Sequence, residues 1–399
     1  MSNSISLESR SVHDPEVHHY NAPHQVPLVA ASSFCFDSIQ QGMAIFDGEE
    51  PGHIYGRFGN PTIDAAAQKI ADMEAHGTGQ TAKGLFCSSG MAAIATAILG
   101  VLDGPGRVLT APDLYGGTVS LLQQMEKQGV ELITCDLRDL EAVEQHLRKY
   151  KNIKLIYCET PANPTLKITD LKGLANLSHA AGAKLIVDNT FATPMVQQPI
   201  ALGADVVLHS TTKYLNGHGT GVAGALVTTD AALFSDRFVP IYRLYGGSGN
   251  AWDAWLVLNG LKTLPIRMER HAANALAVAR WLVEQPLVEL VNYPGLENHP
   301  QRQLAARQMR SGGGMLSFSL RGGTEAAYRF MNSIDFCTLT PTLGDVDTLV
   351  LHPASMSHRG LDPEVRRAQG IPDGLIRLSV GIETVGDIIA DLEQAINAS

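Results

Sequence analysis

The run His209-Ser-Thr-Thr-Lys-Tyr-Leu-Asn-Gly-His-Gly219 decides the fold of this chain. Its Lys213 follows an apolar β-type run, Ala204-Asp-Val-Val-Leu208, and lies among small hydroxylated residues and glycines. A surface lysine usually has charged, long polar neighbours, whereas this setting suits an amine that is held and partly desolvated. A second β-type run, Lys184-Leu-Ile-Val-Asp188, ends in a carboxylate upstream of the lysine. Both groups follow predicted strands, as ligand-binding residues do in parallel sheets.

The composition is typical of a globular chain, with 399 residues of which 45% are hydrophobic and 18% charged. The formal net charge is −10, and the sequence offers no basic stripe that would neutralise the phosphates of a nucleic acid. This argues against nucleic acid as the main partner. The apolar stretches are too short to cross a bilayer, and the segment from Met1 to Glu8 lacks the pattern of a signal peptide. The five cysteines are widely spread without a Cys-x-x-Cys motif, which is typical of a reducing compartment. We therefore expect a cytoplasmic enzyme.

Helical patterns alternate with short β-branched runs from residue 64 onward, which is typical of a doubly wound, mostly parallel α/β sheet. Predicted strands are 84–87, 107–110, 132–134, 155–157, 185–187, 206–208 and 225–227, and predicted helices are 65–74, 89–102, 117–128, 139–149, 170–181 and 196–202. A helical stretch over 252–284 leads to a C-terminal region with β-runs at 315–320 and 375–380. We expect an extended N-terminal arm (1–62), a large α/β domain (63–255) and a smaller C-terminal α/β domain (256–399).

Lys213 and Asp188 together point to pyridoxal 5′-phosphate (PLP) chemistry. A PLP enzyme requires a lysine that forms a Schiff base and an acid that holds the pyridinium nitrogen. The sequence Ser88-Ser89-Gly90-Met91 joins a strand to a helix, so the N–H groups of the first turn can bind an anion. A simple capped helix explains that segment equally well, but the hydroxyls of Ser210 and Thr212 beside the lysine favour a phosphate site.

Three further side chains are candidates, each with an ordinary structural alternative. Tyr115 follows a strand and is able to stack on a flat cofactor or move a proton, although a loop tyrosine is more often structural. Asn163, in Glu159-Thr-Pro-Ala-Asn-Pro164, can donate to a phenolic oxygen or belong only to a proline-fixed turn. Arg377, in an apolar strand, is costly to bury without an anion, which would be a substrate carboxylate or a structural ion-pair partner.

Three other patterns are rejected as sites. The match Gly219-x-Gly-x-x-Gly224 precedes a β-type run rather than a helix, which argues against dinucleotide binding. A metal site is not expected from the histidines of the N-terminal arm, which have no fixed spacing: His13, His18, His19 and His24. The helix after Thr263 is predicted to expose Arg267, Arg270 and His271 to solvent.

Over almost its whole length the chain resembles the trans-sulfuration enzymes, PLP-dependent proteins of fold type I that act in cysteine and methionine metabolism. The segments that carry the resemblance are Tyr55-Gly-Arg-Phe-Gly-Asn-Pro-Thr62, Ser89-Gly-Met91, Leu114-Tyr-Gly-Gly117, Glu159-Thr-Pro-Ala-Asn-Pro164, Val187-Asp-Asn-Thr190, His209-Ser-Thr-Thr-Lys-Tyr214, Gly217-His-Gly219 and Arg377-Leu-Ser-Val-Gly381.

The resemblance implies a large mostly parallel sheet domain, a smaller C-terminal domain and a PLP cofactor. It implies that Lys213 is the Schiff-base lysine, Asp188 the pyridinium partner and Arg377 the clamp of the substrate carboxylate. The other implied cofactor-binding residues are Ser89, Gly90, Met91, Tyr115, Glu159, Asn163, Ser210 and Thr212. Tyr55 and Arg57 would reach the phosphate of a neighbouring subunit, so the resemblance implies a dimeric site within a homotetramer.

Departures from the family pattern concern the substrate. Thr342 stands where serine is usual, and Pro341 stands where enzymes acting on cystathionine carry an acidic or aromatic residue, which places the chain nearest the methionine γ-lyase branch. Gly117 replaces a cysteine typical of that branch, and Thr220 replaces an aspartate. The acidic loop Asp47-Gly-Glu-Glu50 would suit a cationic substrate such as canavanine.

The sequence therefore predicts a PLP-dependent γ-elimination lyase for a γ-substituted L-amino acid. It would release 2-oxobutanoate, ammonia and the γ-leaving group, with Lys213, Tyr115 and Asp188 as catalytic residues and Arg377, Thr342, Tyr115 and Pro341 at the substrate. The alternatives are γ-replacement, by an O-acylhomoserine sulfhydrylase or a cystathionine γ-synthase, a lyase for an oxyguanidine such as canavanine, and a non-catalytic PLP-fold binding protein.

Overall fold

A computed structural model of the chain describes residues 5–13 and 23–399. His18 and His19, which we considered as metal ligands, lie outside these ranges. The described residues form two β-sheets with helices packed against them.

The larger sheet has seven strands: β1 Lys83–Cys87, β2 Arg107–Thr110, β3 Glu131–Thr134, β4 Ile153–Glu159, β5 Lys184–Asp188, β6 Val206–His209 and β7 Gly224–Thr228. Their order is β1-β7-β6-β5-β4-β2-β3, and only β7 runs antiparallel to its neighbours. All seven strands coincide with predicted β-runs, and the predicted mostly parallel, doubly wound sheet is confirmed.

The helices are α1 Leu7–Val12, α2 Ile39–Asp47, α3 Pro61–Glu74, α4 Gly90–Leu102, α5 Gly116–Glu126, α6 Leu140–Lys149, α7 Leu171–Ala180, α8 Thr193–Val196, α9 Val239–Leu244, α10 Ala251–Lys262, α11 Leu264–Val283, α12 Arg302–Gln308, α13 Gly323–Ser333, α14 Pro363–Ala368 and α15 Val385–Asn397. A 3₁₀ turn covers Pro199–Leu202 and a π-helical turn covers Leu233–Phe238.

Helices cover both faces of the larger sheet because its strands are apolar on both sides. Val207 faces a core that includes α3, α7 and α10, whereas the adjacent Val206 and Leu208 face α4 and α5. Layers on both faces leave only the strand ends accessible, so the carboxyl ends of the parallel strands form the open edge of this unit.

The smaller sheet follows in the C-terminal part of the chain. Its strands are β8 Val288–Asn292, β9 Met315–Leu320, β10 Thr338–Leu339, β11 Leu349–Leu351 and β12 Leu375–Ser379, in the order β10-β11-β12-β9-β8. Residues of α11, α13 and α15 pack on it in a separate core. The predicted runs at 315–320 and 375–380 correspond to β9 and β12, whereas β8, β10 and β11 were not predicted.

The structure also differs from the predictions in the arm and in two predicted helices. The helix predicted over 196–202 is instead the end of α8 followed by a 3₁₀ turn over Pro199–Leu202. The N-terminal arm is not uniformly extended, since α1 and α2 form behind the caps Ser6 and Ser38, whose side chains accept from Ser9 N and Gln41 N. The helix predicted over 252–284 is two helices, α10 and α11, interrupted at Thr263. Pro265 lies in the first turn of α11, where its missing N–H is tolerated.

Within residues 5–13 and 23–399, no helix is both long and apolar enough to cross a membrane, and no three or more His, Cys, Asp or Glu side chains are grouped so that they could hold a metal ion. All five cysteines fall inside these ranges and each is free.

Candidate active site

A cavity of about 360 Å³ lies at the carboxyl ends of the parallel strands and is closed by segments of the smaller sheet. It brings together twelve of the predicted site residues: Ser89, Gly90, Met91, Tyr115, Glu159, Asn163, Asp188, Ser210, Thr212, Lys213, Pro341 and Arg377. These residues are separated by up to 288 positions in the chain, so the fold alone makes them neighbours. The sequence did not identify six other residues that line the cavity: Ile94, Pro161, Thr190, Phe191, Val222 and Leu343.

The start of α4 and the segment after β6 approach each other closely at one end of the cavity. Ser89 caps α4 by accepting from Ala92 N at 3.0 Å, and the preceding N–H groups, those of Gly90 and Met91, have no acceptor within the helix. Gly90 is required there, since a Cβ at this position would lie 2.8 Å from the Cβ of Ser210. The Thr212 hydroxyl hydrogen-bonds with the backbone of Ala223. Free N–H groups, a helix N-terminus and hydroxyls form a donor set suited to a phosphate.

Lys213 lies on the segment that follows β6, and its Nζ donates to Thr342 Oγ1 at 2.9 Å. Burial, and then the positive charge of Arg377, lower the pKa of the Lys213 amine, while Asp345 opposes this shift. A lysine with a lowered pKa supplies more of the neutral amine that nucleophilic chemistry requires.

Asp188 ends β5 and faces the same cavity. Its Oδ1 accepts from Thr190 N at 2.9 Å, and none of the described basic side chains forms an ion pair with it. Burial raises the pKa of its carboxyl. A carboxylate in this setting fits a cationic group of a ligand, which would supply the missing counter-charge.

Tyr115 is the N-cap of α5, and its side chain is 48% exposed. The ring leans over the next turn, because a Cβ at Gly117 would lie 2.6 Å from Tyr115 Cε1. The backbone N–H of Tyr115 donates to Glu159 Oε2 at 2.9 Å. The backbone hydrogen bond to Glu159 therefore keeps the Tyr115 ring at the cavity, and the phenol group is accessible to a ligand.

Arg377 extends from β12 and is buried, with 3% exposure. Its Nη1 donates to Asn163 Oδ1 at 3.3 Å and its Nη2 to the Thr342 carbonyl at 2.8 Å. Both acceptors are neutral, and no carboxylate among the described residues pairs with Arg377. Burial lowers the pKa of Arg377 to about 10. A buried guanidinium without an anion is a ready site for a carboxylate.

Three predicted site residues are not among those that line this cavity. Thr342 lies between the lining residues Pro341 and Leu343 and accepts from Lys213 Nζ, whereas Tyr55 and Arg57 lie elsewhere. Tyr55 and Arg57 line a separate surface pocket with Trp252, and Arg57 Nη1 donates to the carbonyl of Arg243. None of the residues of the acidic loop, 47–50, lines the cavity either.

One prediction is wrong. Arg267 and His271 are buried rather than exposed. Arg267 donates to the carbonyls of Tyr214 and Gly260, and His271 Nδ1 lies 2.6 Å from the carbonyl of Val380. Burial lowers the pKa of His271 to about 4. This face of α11 therefore supports the segment after Lys213 instead of meeting solvent.

Comparison with known proteins agrees with this geometry. Residues 8–397 match the family described as Cys/Met metabolism PLP-dependent enzyme. An L-methionine γ-lyase of Fusobacterium nucleatum subsp. polymorphum is 45% identical over 93% of each chain, and a cystathionine γ-synthase of Mycobacterium bovis is 42% identical over 93% of this chain and 91% of its own. The crystal structure of cystathionine γ-synthase from Xanthomonas oryzae pv. oryzae in complex with cystathionine superposes with a TM-score of 0.90. It is 38% identical to this chain, over 99% of this chain and 98% of its own.

Proposed function

The chain belongs to the Cys/Met metabolism family of PLP-dependent enzymes, and on that premise we propose that it eliminates the γ-substituent of an L-amino acid. The products are 2-oxobutanoate, ammonia and the γ-leaving group. The observation that carries the proposal is the buried guanidinium of Arg377. It has no anionic partner among the described residues and lies at the same cavity as Lys213. The carboxylate of a bound α-amino acid can pair with Arg377, and its α-carbon then lies near Lys213.

The residues around the cavity fit PLP. We assign the phosphate to Ser89, Gly90, Met91, Ser210 and Thr212, whose donors surround one end of the cavity. Asp188 would hold the ring nitrogen, Tyr115 would stack on the ring, and Asn163 would be a further contact, while Glu159 lines the same cavity. When bound, PLP supplies an electrophilic carbon for amines and a ring that takes up electrons from the substrate.

Different side chains then carry out the separate proton transfers. Lys213 Nζ removes the α-proton, for which the low pKa of its amine is favourable, and Thr342 Oγ1 holds that amine in place. Arg377 fixes the carboxylate, so that the α-proton faces the amine. The Tyr115 phenol, open to the cavity, donates a proton to the departing γ-group.

An uncharged thioether side chain, as in methionine, is the γ-substituent that the cavity favours. Seven of its lining residues have apolar side chains: Met91, Ile94, Pro161, Phe191, Val222, Pro341 and Leu343. A cationic oxyguanidine such as canavanine would need the acidic loop at 47–50 of a neighbouring subunit, and that alternative stays a prediction.

Replacement of the γ-group by a second nucleophile is the second candidate function. It is favoured by relatives named for replacement reactions, the γ-synthase described above and an O-succinylhomoserine sulfhydrylase of Pseudomonas aeruginosa that is 39% identical over 94% of this chain.

A second copy of the chain would complete the site. Tyr55, Trp252 and Leu244 are 45%, 57% and 79% exposed, which is unusual for large apolar side chains and suits an interface. We propose that the arm (1–62) reaches the neighbouring cavity with Tyr55 and Arg57, that residues 63–255 and 256–399 form the two domains, and that four copies assemble. The cytoplasmic location stays a prediction.

The test is a panel of methionine, homocysteine, cystathionine, O-acylhomoserines and canavanine, assayed for 2-oxobutanoate with and without an added thiol. We expect 2-oxobutanoate from the thioether substrates without thiol. Product that appears only with an added thiol, and as a new thioether, would instead favour γ-replacement. Tight PLP binding without turnover of any substrate would favour a binding protein.

A further inference from the structure

Helix α5 begins at the cavity without a cap of its own. Its N-cap residue is Tyr115, whose side chain makes no capping hydrogen bond. The first N–H groups of a helix have no partner within it, so an acceptor must come from elsewhere in the fold. The orientation of the Tyr115 ring depends on this helix start, since the ring and the first turn share one backbone.

Glu159 supplies the missing acceptor from the end of β4. Its Oε2 accepts from the N–H of Tyr115 at 2.9 Å, and its Oε1 accepts from the hydroxyl of Thr118 at 3.4 Å. Thr118 lies one turn into α5 and is fully buried. Both oxygens of one carboxyl group are therefore directed at the first turn of α5, from a residue 41 and 44 positions away.

We propose that Glu159 is a positioning residue that fixes the start of α5 and thereby holds Tyr115 against the cofactor ring. This inference rests on the proposed function and deepens it. It gives Glu159 a role that acts through Tyr115, in place of the direct cofactor contact that the family resemblance implies.

The electrostatic surroundings agree with a hydrogen-bonding role. Glu159 and Asp188 are directly paired in the parallel register of β4 and β5, so their side chains share one face of the sheet. Burial, and next the negative charge of Asp188, raise the pKa of the Glu159 carboxyl well above its ordinary range. A carboxyl group that carries a proton still accepts from an N–H through its carbonyl oxygen.

A double-mutant cycle between Glu159 and Tyr115 tests the proposal. Glu159→Leu removes the hydrogen-bond acceptor at nearly constant side-chain volume. Tyr115→Ala removes the aromatic ring that, in this proposal, the Glu159 hydrogen bonds hold in position. The readouts are the dissociation constant of PLP, measured by titrating cofactor-free protein, and kcat/KM for the best substrate of the panel. The dissociation constant does not depend on which substrate is correct, so it separates failure of this inference from failure of the proposed function.

We expect Glu159→Leu to raise the dissociation constant of PLP and to lower kcat/KM, each by about 10- to 100-fold, the range for a misplaced active-site group. In the Tyr115→Ala background the same substitution should have little further effect, because residues that act through each other are not additive. Glu159→Gln retains an acceptor for the N–H of Tyr115 and should lose much less than Glu159→Leu. Thr118→Val, the matched control, removes only the weaker contact and should lose least.

Two outcomes would overturn the inference. Additive losses in the cycle would mean that Glu159 acts on the cofactor independently of Tyr115. Equal losses in Glu159→Gln and Glu159→Leu would mean that the charge of Glu159, and not its hydrogen bond to the helix start, is what matters.

Discussion

Replacing Arg377 by methionine removes the positive charge that we assign to the substrate carboxylate. A guanidinium has about five N–H donors, and in this structure Arg377 uses Nη1 for Asn163 and Nη2 for Thr342. The remaining donors can give a carboxylate two charge-assisted hydrogen bonds, worth about 1.5–3 kcal/mol each. Their loss totals about 3–6 kcal/mol, which corresponds to a fall in kcat/KM of about 10²- to 10⁴-fold.

The assay is release of 2-oxobutanoate by the wild type, Arg377→Met and Arg377→Lys, with each variant first checked for cofactor content and thermal unfolding. Lysine keeps the charge but not the planar fork, so its loss should be intermediate. A substrate analogue without the α-carboxylate provides the decisive comparison, because the arginine has nothing to bind in it. The reasoning is refuted if Arg377→Met leaves kcat/KM unchanged, or lowers it equally for the analogue and the full substrate.

Three further predictions concern other parts of the molecule. Gly117→Cys should lower kcat/KM by about tenfold or more, because its Cβ would lie 2.6 Å from Tyr115 Cε1 and displace the ring; circular dichroism of the bound cofactor should change with it. In the core, Glu74 Oε1 accepts from His209 Nε2 at 2.6 Å and from Asn189 Nδ2 at 2.8 Å, and each donor left unsatisfied costs about 1–3 kcal/mol. Glu74→Ala should therefore cost about 2–6 kcal/mol of unfolding free energy in denaturant titrations, and Glu74→Gln clearly less. Burial lowers the pKa of Lys213 below its ordinary 10.5, so the unfolded chain binds this proton more tightly. Cofactor-free wild type should therefore gain stability relative to Lys213→Met as the pH rises from the lowered value toward 10.5.

Much of the larger sheet could be predicted because its local signals are strong. Apolar β-type runs such as 206–208 are too short and too β-branched for helices, and the residues after them carry the polar groups. Lys213 and Asp188 were located in this way, since the carboxyl ends of parallel strands meet at one edge. The alternation of strands and helices thus predicted both the sheet and the position of its cavity.

Other features depend on contacts that sequence patterns do not encode. Arg267 looks like a surface arginine, yet backbone carbonyls from Tyr214 and Gly260 satisfy it in the interior. The cap that Glu159 provides for α5 joins residues more than 40 positions apart. By contrast, the start of α2 had a readable signal, since Ser38 is followed three residues later by Gln41, whose side chain accepts from Asp37 N.

Reduction of the purified holoenzyme with borohydride, followed by peptide mapping, tests the central claim most directly. Lys213 is predicted to carry the reduced pyridoxyl group on its Nζ, and the Lys213→Ala variant should take up no label and show no turnover. A label on another lysine, or an unlabelled Lys213 in protein that eliminates the γ-group at the normal rate, would contradict the account.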